Sequence, residues 1–295
     1  MIITEPIQVE KIAIAIDDLP AELSGTKIVQ LSDLHFDGIR LSAKVLEQAI
    51  ALCNDAEPDL VAITGDFVTD NPMPINKLAK HLQKLESKHG VYGCLGNHDL
   101  VPANAKQQII EALSKIELKI LWNEVAYPLG SGLAIAGLPD FWSSEFDPAT
   151  ALDRIPANIP RIVLSHNPDS ARVLKKWRVD LQLSGHTHGG QVVIPNYGPV
   201  TSLLPKIKQY VPESLRNYLP YIKDCSRVVR HWNWSQGWHQ VEGNQLYINR
   251  GLGTYFPGRI NCPPEVTVIT LECHSKIDNE QLTMDNDSLI RIRPN

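Results

Sequence analysis

The sequence predicts an α/β protein in which two packed sheets are flanked by helices. The first half of the chain alternates short apolar strands with segments of helical spacing, and the second half adds β-hairpins. The 295 residues are 43% hydrophobic, which is enough for a full core and is typical of a globular protein. Since neither a linker nor an internal repeat interrupts residues 1–295, we expect a single domain.

Two residue patterns define the strands and helices of the first half. A continuous apolar run such as Leu60–Thr64 is typical of a strand that is covered on both faces. Apolar side chains at helical spacing define the helices, and Ser42 is a plausible N-cap for the first of them. The predicted strands are Lys11–Ile16, Thr26–Leu31, Leu60–Thr64 and Val91–Leu95, and the predicted helices are Ser42–Cys53, Ile75–Glu86 and Ala103–Ile116.

Glycine-rich turns separate the strands of the second half. Gly130-Ser131-Gly132 lies between two apolar runs and indicates a hairpin, and Gly243-Asn244 marks another pair of strands. A short helix that ends at Lys176 precedes the strand that leads to His186. The predicted strands are Val125–Leu129, Leu133–Ala136, Arg161–Leu164, the run through Val179, Leu181 and Leu183, Trp238–Val241, Gln245–Ile248 and Val266–Glu272. The polar stretch from Lys276 is expected to be peripheral.

Charge and cysteine content argue against several classes of protein. The formal net charge of −5 provides no global field for a nucleic acid, so we expect no nucleic-acid partner. The five cysteines are scattered and never form Cys-x-x-Cys, which argues against a disulfide framework and a thiolate zinc site. The sequence has the pattern of neither a signal peptide nor a transmembrane helix. We therefore expect a cytoplasmic protein with reduced thiols.

Polar residues of only three types follow the ends of five predicted strands. They are Asp33, His35, Asp66, Asn97, His98, Asp99, His166, His186 and His188. In open α/β sheets, ligands bind beyond the carboxyl ends of the strands, so we expect all five strand ends along one edge of one sheet. An aspartate that caps the following helix would explain one such position, but five positions that offer only Asp, Asn and His indicate a common site.

This donor set suits a pair of metal ions. Carboxylate, amide and imidazole groups without thiolates favour Mn, Fe, Zn, Co or Mg. One metal takes about four to six ligands. Because the candidate ligands outnumber what a single ion needs, they suggest two metals that share a bridging carboxylate. Two metals roughly 3.5–4 Å apart clamp the attacking and leaving oxygens of an in-line displacement and lower the pKa of bound water. The donor set therefore predicts hydrolysis of a phosphoester by metal-bound hydroxide.

The order of these motifs resembles that of a known family. Asp33-Leu34-His35, Gly65-Asp66, Gly96-Asn97-His98-Asp99, Ser165-His166 and Gly185-His186-Thr187-His188 resemble the motifs of the calcineurin-like metallophosphoesterases. The resemblance implies a four-layer α/β/β/α sandwich. The later segments Asn249–Gly253, Pro257–Arg259 and Cys262–Val266 resemble the bacterial YkuE/YaeI-like branch, some members of which act on lipid-linked phosphodiesters.

The resemblance also implies which residues hold the two metals. The first metal would be held by Asp33, His35, Asp66 and His188. The second would be held by Asp66, Asn97, His166 and His186. Asp66 would therefore bridge the two ions.

Further roles follow from the same resemblance. His98 would protonate the leaving oxygen or bind the phosphate, and Asp99 would orient His98 by a hydrogen bond. Many relatives carry a basic residue soon after the first motif that grips the phosphate. In this chain the candidates for that contact are Arg40, Arg250 and Arg259.

Residues 201–234 form an insertion between the last metal motif and the closing strands. The segment mixes basic residues with large apolar ones, among them Lys206, Lys208, Arg216, Lys223, Arg227, Arg230, Tyr210, Tyr218, Tyr221, Trp232 and Trp234. Three interpretations stay open: a lid packed on the domain, peripheral contact with anionic lipid at the inner face of the membrane, or contact with a nucleotide or nucleic acid. Three prolines interrupt any long amphipathic helix, which weakens the membrane interpretation.

These observations predict a dinuclear-metal phosphoesterase that acts on a phosphodiester or pyrophosphate bond, with a lipid-linked substrate as one option. One alternative is a hydrolase of soluble nucleotides or small phosphodiesters. Another is a non-catalytic scaffold for protein contacts, which would be expected to have lost ligands. All seven proposed ligands and His98 are present, so the enzyme is favoured.

Overall fold

The computed structural model describes residues 4–203, 210–212 and 229–273, together with the backbone of residues 290–292. The strands are β1 Gln8–Ile16, β2 Lys27–Leu31, β3 Leu60–Thr64, β4 Val91–Cys94, β5 Lys119–Ile120, β6 Glu124–Ala126, β7 Ala134–Gly137, β8 Arg161–Leu164, β9 Leu181–Ser184, β10 Val193–Ile194, β11 Gly198–Pro199, β12 Gly237–Val241, β13 Asn244–Ile248, β14 Glu265–Cys273 and β15 Ile290–Ile292. The α-helices are α1 Ala43–Asp55, α2 Ile75–Leu82, α3 Ala105–Ser114, α4 Pro148–Leu152 and α5 Ala171–Leu174. Short 3₁₀ turns cover Ala21–Leu23, His98–Leu100, Pro168–Ser170 and His188–Gly190.

Two sheets carry the fold. The first has the strand order β15-β1-β14-β2-β3-β4-β5, and its neighbours are parallel except for the antiparallel pair β14 and β2. The second has the order β12-β13-β9-β8-β7-β6, with parallel strands in the centre and an antiparallel pair at each edge. Strands β10 and β11 form a separate ribbon.

The alternation of side chains along each strand divides the core into layers. Ile28 on β2 packs between the two sheets with Leu183 on β9. Its neighbour Val29 packs on the other face, against the helices α1, α2 and α3. Helices α4 and α5 cover the outer face of the second sheet. The order of layers is helix, sheet, sheet and helix, which confirms the predicted α/β/β/α sandwich.

The helix α1 begins where the sequence predicts it. Ser42 Oγ accepts a hydrogen bond from the Val45 N–H at 3.3 Å, which satisfies one of the free amides of the first turn. The helix buries Leu46 and Ile50 against the first sheet. The other predicted helices and strands are also present, although α2 and β6 end earlier than expected.

Several expectations concern the ends and loops of the chain. Most of the insertion at 201–234 lies outside the described residues, as do residues 274–289 of the terminal stretch. Residues 290–292 pair with β1, so this part of the stretch is an edge strand. The cysteines in the described ranges are unpaired thiols, as expected, namely Cys53, Cys94, Cys262 and Cys273. Within those ranges no helix combines the length and the apolar character needed to cross a membrane.

Candidate metal centre

The predicted site residues lie where the carboxyl ends of the two sheets meet. Asp33, His35, Asp66 and Asn97 follow strands of the first sheet, and His166, His186 and His188 follow strands of the second. The expectation of one edge of one sheet is therefore wrong, because the order of strands along the chain does not reveal which sheet each strand joins. The two sets nevertheless converge, since His166 Nε2 lies 3.1 Å from Asp66 Oδ2.

Two groups of three side chains are arranged to hold a metal ion. Their members are Asp33, His35 and His188 in one group, and Asp66, His166 and His186 in the other. The ligand atoms within each group lie within 4.8 Å of one another. Each group combines residues from both sheets, so a bound ion would connect the two layers.

Asp66 lies between the two groups. Its Oδ2 is 3.3 Å from His35 Nε2 and 3.1 Å from His166 Nε2. Its Oδ1 accepts a hydrogen bond from the His98 N–H at 3.0 Å, which fixes the rotation of the carboxylate. The geometry is that expected of a carboxylate shared by two cations.

The side-chain oxygen of Asn97 indicates whether a cation fits this site. Its Oδ1 is buried and accepts no hydrogen bond from any described residue. A buried acceptor without a partner costs about 1–3 kcal/mol, and a cation relieves that cost. Carboxylate, amide and imidazole donors together suit divalent cations, so the residues present fit a pair of such ions.

Backbone carbonyls orient two of the histidines. His166 Nδ1 lies 2.7 Å from Thr64 O, and His188 Nδ1 lies 3.2 Å from Gly253 O. A carbonyl only accepts, so in each ring the Nδ1–H is the donor and Nε2 keeps its lone pair. The Nε2 atoms of both rings face carboxylates of the centre, which is the orientation a metal ligand needs.

Five of the seven predicted ligands have a strained backbone. Left-handed φ angles of 42° to 70° occur at Asp33, His35, Asp66, His186 and His188. Residues other than glycine rarely adopt this region, and each instance costs of order 1–3 kcal/mol. Strain of this kind persists where the surrounding structure holds a functional geometry.

Gly96 lets the loop that follows β4 approach Asp66 closely. A Cβ added at this position would lie 2.2 Å from Asp66 Oδ1 and 2.7 Å from Asp66 N. Only a residue without a side chain fits here, because both atoms belong to the nearly inaccessible Asp66.

His98 lies beside the centre but in neither ligand group. Its Nδ1 is 2.7 Å from Asp70 Oδ1, and its ring meets the His35 ring edge-on at 4.9 Å. Burial alone would lower the pKa of His98, but the carboxylates of Asp66 and Asp70 outweigh burial and raise it. The two carboxylates therefore stabilise the charged imidazole relative to burial alone.

Asp99 does not make the contact that the sequence predicted. Its carboxylate accepts hydrogen bonds from the N–H groups of Val68 at 3.1 Å and Gly96 at 3.0 Å. Burial and the charge of Asp66 raise the pKa of Asp99 to about 7. Asp99 thus holds together the loops that follow β3 and β4, and the partner of the His98 ring is Asp70.

Two of the three candidate arginines are engaged inside the protein. Arg259 is fully buried and donates to the carbonyls of Arg250, Gly251 and Gly253 at 2.7, 3.0 and 2.7 Å. Arg250 pairs with Glu10 at 2.7 Å and with Glu265 at 2.9 Å. These contacts contradict the expectation that Arg250 and Arg259 bind phosphate.

Arg40 is the candidate that lies at the surface of the site. Its side chain is 31% exposed and forms an ion pair with Asp37. Its guanidinium carbon lies 4.6 Å from the centroid of the Tyr255 ring, and Tyr255 contacts His35 and His188, two of the predicted metal ligands. Arg40 therefore stays a candidate for the contact with phosphate.

Sequence reasoning missed Asp140, which follows β7. Asp140 is 1% exposed, and its Oδ2 is buried without a hydrogen-bond partner among the described residues. Burial raises the pKa of this carboxyl, while the charge of His166 lowers it. Asp140 follows its strand in the same way as the other site residues, but the sequence around Gly130-Ser131-Gly132 indicates only a hairpin.

The fold and the two ligand groups define a metal-dependent phosphoester hydrolase. A family model of the calcineurin-like phosphoesterases matches residues 26–190, which is more than half of the chain. The chain belongs to this family, whose members use a dinuclear divalent metal centre. Its cofactor is accordingly a pair of divalent metal ions.

Relatives extend the similarity beyond the family motifs. The chain is 30% identical over 250 residues to phosphodiesterase YaeI of Escherichia coli, covering 83% of this chain and 82% of that protein. It is 32% identical over 260 residues to metallophosphoesterase YkuE of Bacillus subtilis, with coverages of 86% and 82%. It is 28% identical over 295 residues to UDP-2,3-diacylglucosamine pyrophosphatase LpxG of Chlamydia muridarum, covering 84% of each chain. The predicted resemblance to the YkuE/YaeI-like branch is confirmed.

Proposed function

We propose that the chain hydrolyses a phosphodiester or pyrophosphate bond, and that the substrate is lipid-linked. The proposed ligands are Asp33, His35, Asp66 and His188 for one ion, and Asp66, Asn97, His166 and His186 for the other. The observation that carries the ligand assignment is the position of Asp66 Oδ2, which lies close to one histidine of each group.

Other residues of the protein donate the proton and bind the phosphate. When bound, the ions supply charge neutralisation at the phosphate and lower the pKa of water. His98, whose Nδ1 pairs with Asp70 at 2.7 Å, donates a proton to the leaving oxygen. Arg40, at the entrance to the site, binds the phosphate oxygens by charge-assisted hydrogen bonds.

The choice of bond rests on two relatives. YaeI is named as a phosphodiesterase and LpxG as a pyrophosphatase of UDP-2,3-diacylglucosamine. Both names describe cleavage at a phosphate that carries substituents on both sides. A phosphodiester or pyrophosphate is therefore the substrate class that we assign to this chain.

Exposed apolar side chains around the site support a lipid-linked substrate. Ile39 is 74% exposed, Val101 48% and Phe256 72%, and they lie on loops that follow β2, β4 and β13. Ile194 and Tyr197 add to this rim on the segment after β9. Since the carboxyl ends of these strands lie at the end of the sandwich that holds the site, acyl chains would meet apolar surface there.

The first experiment compares bis-p-nitrophenyl phosphate with p-nitrophenyl phosphate, using metal-stripped protein and added Mn²⁺. Cleavage of the diester that depends on Mn²⁺ is expected. Cleavage of the monoester alone would contradict the proposed substrate class. Cleavage of neither compound by protein that has bound two metals would favour the non-catalytic scaffold.

The second experiment tests the lipid-linked substrate. UDP-2,3-diacylglucosamine in detergent micelles is compared with UDP-glucose, which lacks the acyl chains. Ile39→Ser and Phe256→Ser should raise KM for the micellar substrate only. Tyr127→Ser is the matched control, because Tyr127 is 41% exposed and follows β6, which runs antiparallel to β7. Equal turnover of both compounds would support the alternative of soluble nucleotides.

A further inference from the structure

Tyr255 lies beside the metal centre and was not among the residues expected there. Its ring centroid is 5.0 Å from that of His35, 5.3 Å from that of His188 and 6.3 Å from that of His98. Its N–H donates to Gln191 Oε1 at 2.6 Å. The preceding Thr254 N–H donates to Arg40 O at 3.0 Å, so the loop is fixed on both sides.

The hydroxyl group of Tyr255 contacts a predicted metal ligand. Tyr255 Oη lies 3.1 Å from His35 Nδ1, and Thr69 Oγ1 lies 3.1 Å from the same nitrogen. The opposite ring atom, His35 Nε2, faces Asp66 and His188. Hydroxyls on Nδ1 therefore fix the ring rotation that directs Nε2 to the centre.

The ring of Tyr255 contacts the cation at the entrance. The Arg40 guanidinium stacks on it at 4.6 Å, while Asp37 pairs with Arg40 Nη1. The Arg40 side chain is nevertheless 31% exposed. A guanidinium that is held in place and is partly exposed is suited to an oxyanion.

We propose that Tyr255 is a positioning residue with two separable tasks. Its hydroxyl orients His35 for the first metal, and its ring holds Arg40 where the guanidinium grips the phosphate oxygens of the substrate. The second task rests on the proposed function, whereas the first depends only on the metal centre.

Two substitutions separate the tasks. Tyr255→Phe removes the hydroxyl and keeps the ring, so the affinity for Mn²⁺ should fall by about 10-fold, the lower end of the range for partners of metal ligands. Tyr255→Leu removes both groups, and it should in addition weaken the binding of inorganic phosphate about 2- to 5-fold, as expected for a partly exposed cation–π contact. Tyr127→Leu is the control for an exposed tyrosine away from the site.

The measurements do not need turnover. Isothermal titration calorimetry gives the affinity of metal-stripped protein for Mn²⁺ and of Mn²⁺-loaded protein for inorganic phosphate, and circular dichroism checks the fold. Arg40→Gln should weaken phosphate binding in the wild-type background but not in the Tyr255→Leu background. Independent effects of the two substitutions would overturn the second task.

The outcomes distinguish this inference from the proposed function. Wild-type Mn²⁺ affinity in Tyr255→Phe would overturn the first task, and wild-type phosphate affinity in Tyr255→Leu would overturn the second. If the wild-type protein cleaves no diester but both affinities change as stated, the proposed function fails. The role of Tyr255 in metal and phosphate binding then stands without its role toward a diester substrate.

Discussion

Replacing Gly96 by alanine should disable the site through a single methyl group. The added Cβ would lie 2.2 Å from Asp66 Oδ1, whereas ordinary contacts begin at 3.4 Å. The carboxylate must therefore retreat by about 1.2 Å, and its hydrogen bond with the His98 N–H is lost with it. A displacement of about 1 Å in a catalytic group costs about 10²-fold in rate.

We expect Gly96→Ala to lose about 10²-fold in kcat/KM on bis-p-nitrophenyl phosphate and to bind Mn²⁺ more weakly. Overpacking should also lower the free energy of unfolding by about 1–3 kcal/mol. Gly243→Ala is the matched control, because neither glycine has a positive φ and a Cβ at Gly243 would meet no atom within 4 Å. The control should match the wild-type protein in all three measurements.

The reasoning would be refuted by a folded Gly96→Ala protein with wild-type Mn²⁺ affinity and activity within threefold of wild type. Such a result would mean that the loop after β4 moves away more easily than Asp66 does. If Gly96→Ala does not fold in metal-free buffer, the same measurements would be made on protein refolded in the presence of Mn²⁺. Recovery of wild-type activity under those conditions would also refute the reasoning.

Other substitutions test the remaining parts of the site. Asp66→Asn should abolish diester cleavage and weaken metal binding in calorimetry, since the carboxylate proposed to bridge the two ions loses its charge. Full activity would exclude the bridge. His98→Ala should keep both metals but lose about 10²–10⁴-fold in rate, and loss of metal would instead make His98 a ligand. Asp70→Asn removes one of the carboxylates that raise the pKa of His98, so the alkaline limb of the pH–rate profile should move to lower pH. The shift should not exceed about 0.7 pH unit, because a partly exposed pair contributes about 0.2–1 kcal/mol. Arg259→Met deprives five carbonyls of a donor, three of them at 3.0 Å or less, and should lower the free energy of unfolding in urea by about 3 kcal/mol. A change below about 1 kcal/mol would show that water replaces the guanidinium.

The residues of the candidate centre could be predicted from the sequence because each follows an apolar strand. A buried strand leaves few conformations for the residues at its end, and the types Asp, Asn and His identify the chemistry. The distribution of these ends over two sheets could not be predicted, since Leu60–Thr64 in the first sheet and Arg161–Leu164 in the second are equally apolar runs. The pattern of apolar residues in a strand indicates that the strand is buried, but it does not indicate which strands lie beside it in a sheet.

The roles of neighbouring polar residues were harder to predict. Asp99 is adjacent to His98 in sequence, but a 3₁₀ turn sends its carboxylate to the amides of Val68 and Gly96. The residue that reaches the His98 ring is Asp70, from another loop. Likewise the charge of Arg259 suggests a phosphate contact. In the structure its side chain is fully buried and donates hydrogen bonds to backbone carbonyls instead. Residue type alone does not distinguish a residue that binds the metal or substrate from one that stabilises the surrounding backbone.

The place of β14 in the first sheet has a consequence for how the protein is made. This strand lies between β1 and β2, and Gln8 pairs with Glu265 across most of the length of the chain. On the ribosome, β1 and β2 are synthesised early. They lack β14, the strand that pairs with both of them, until residue 273 has emerged. Such non-local pairing slows folding. The nascent chain therefore carries unpaired strand edges through most of its synthesis, when chaperones would bind it most readily.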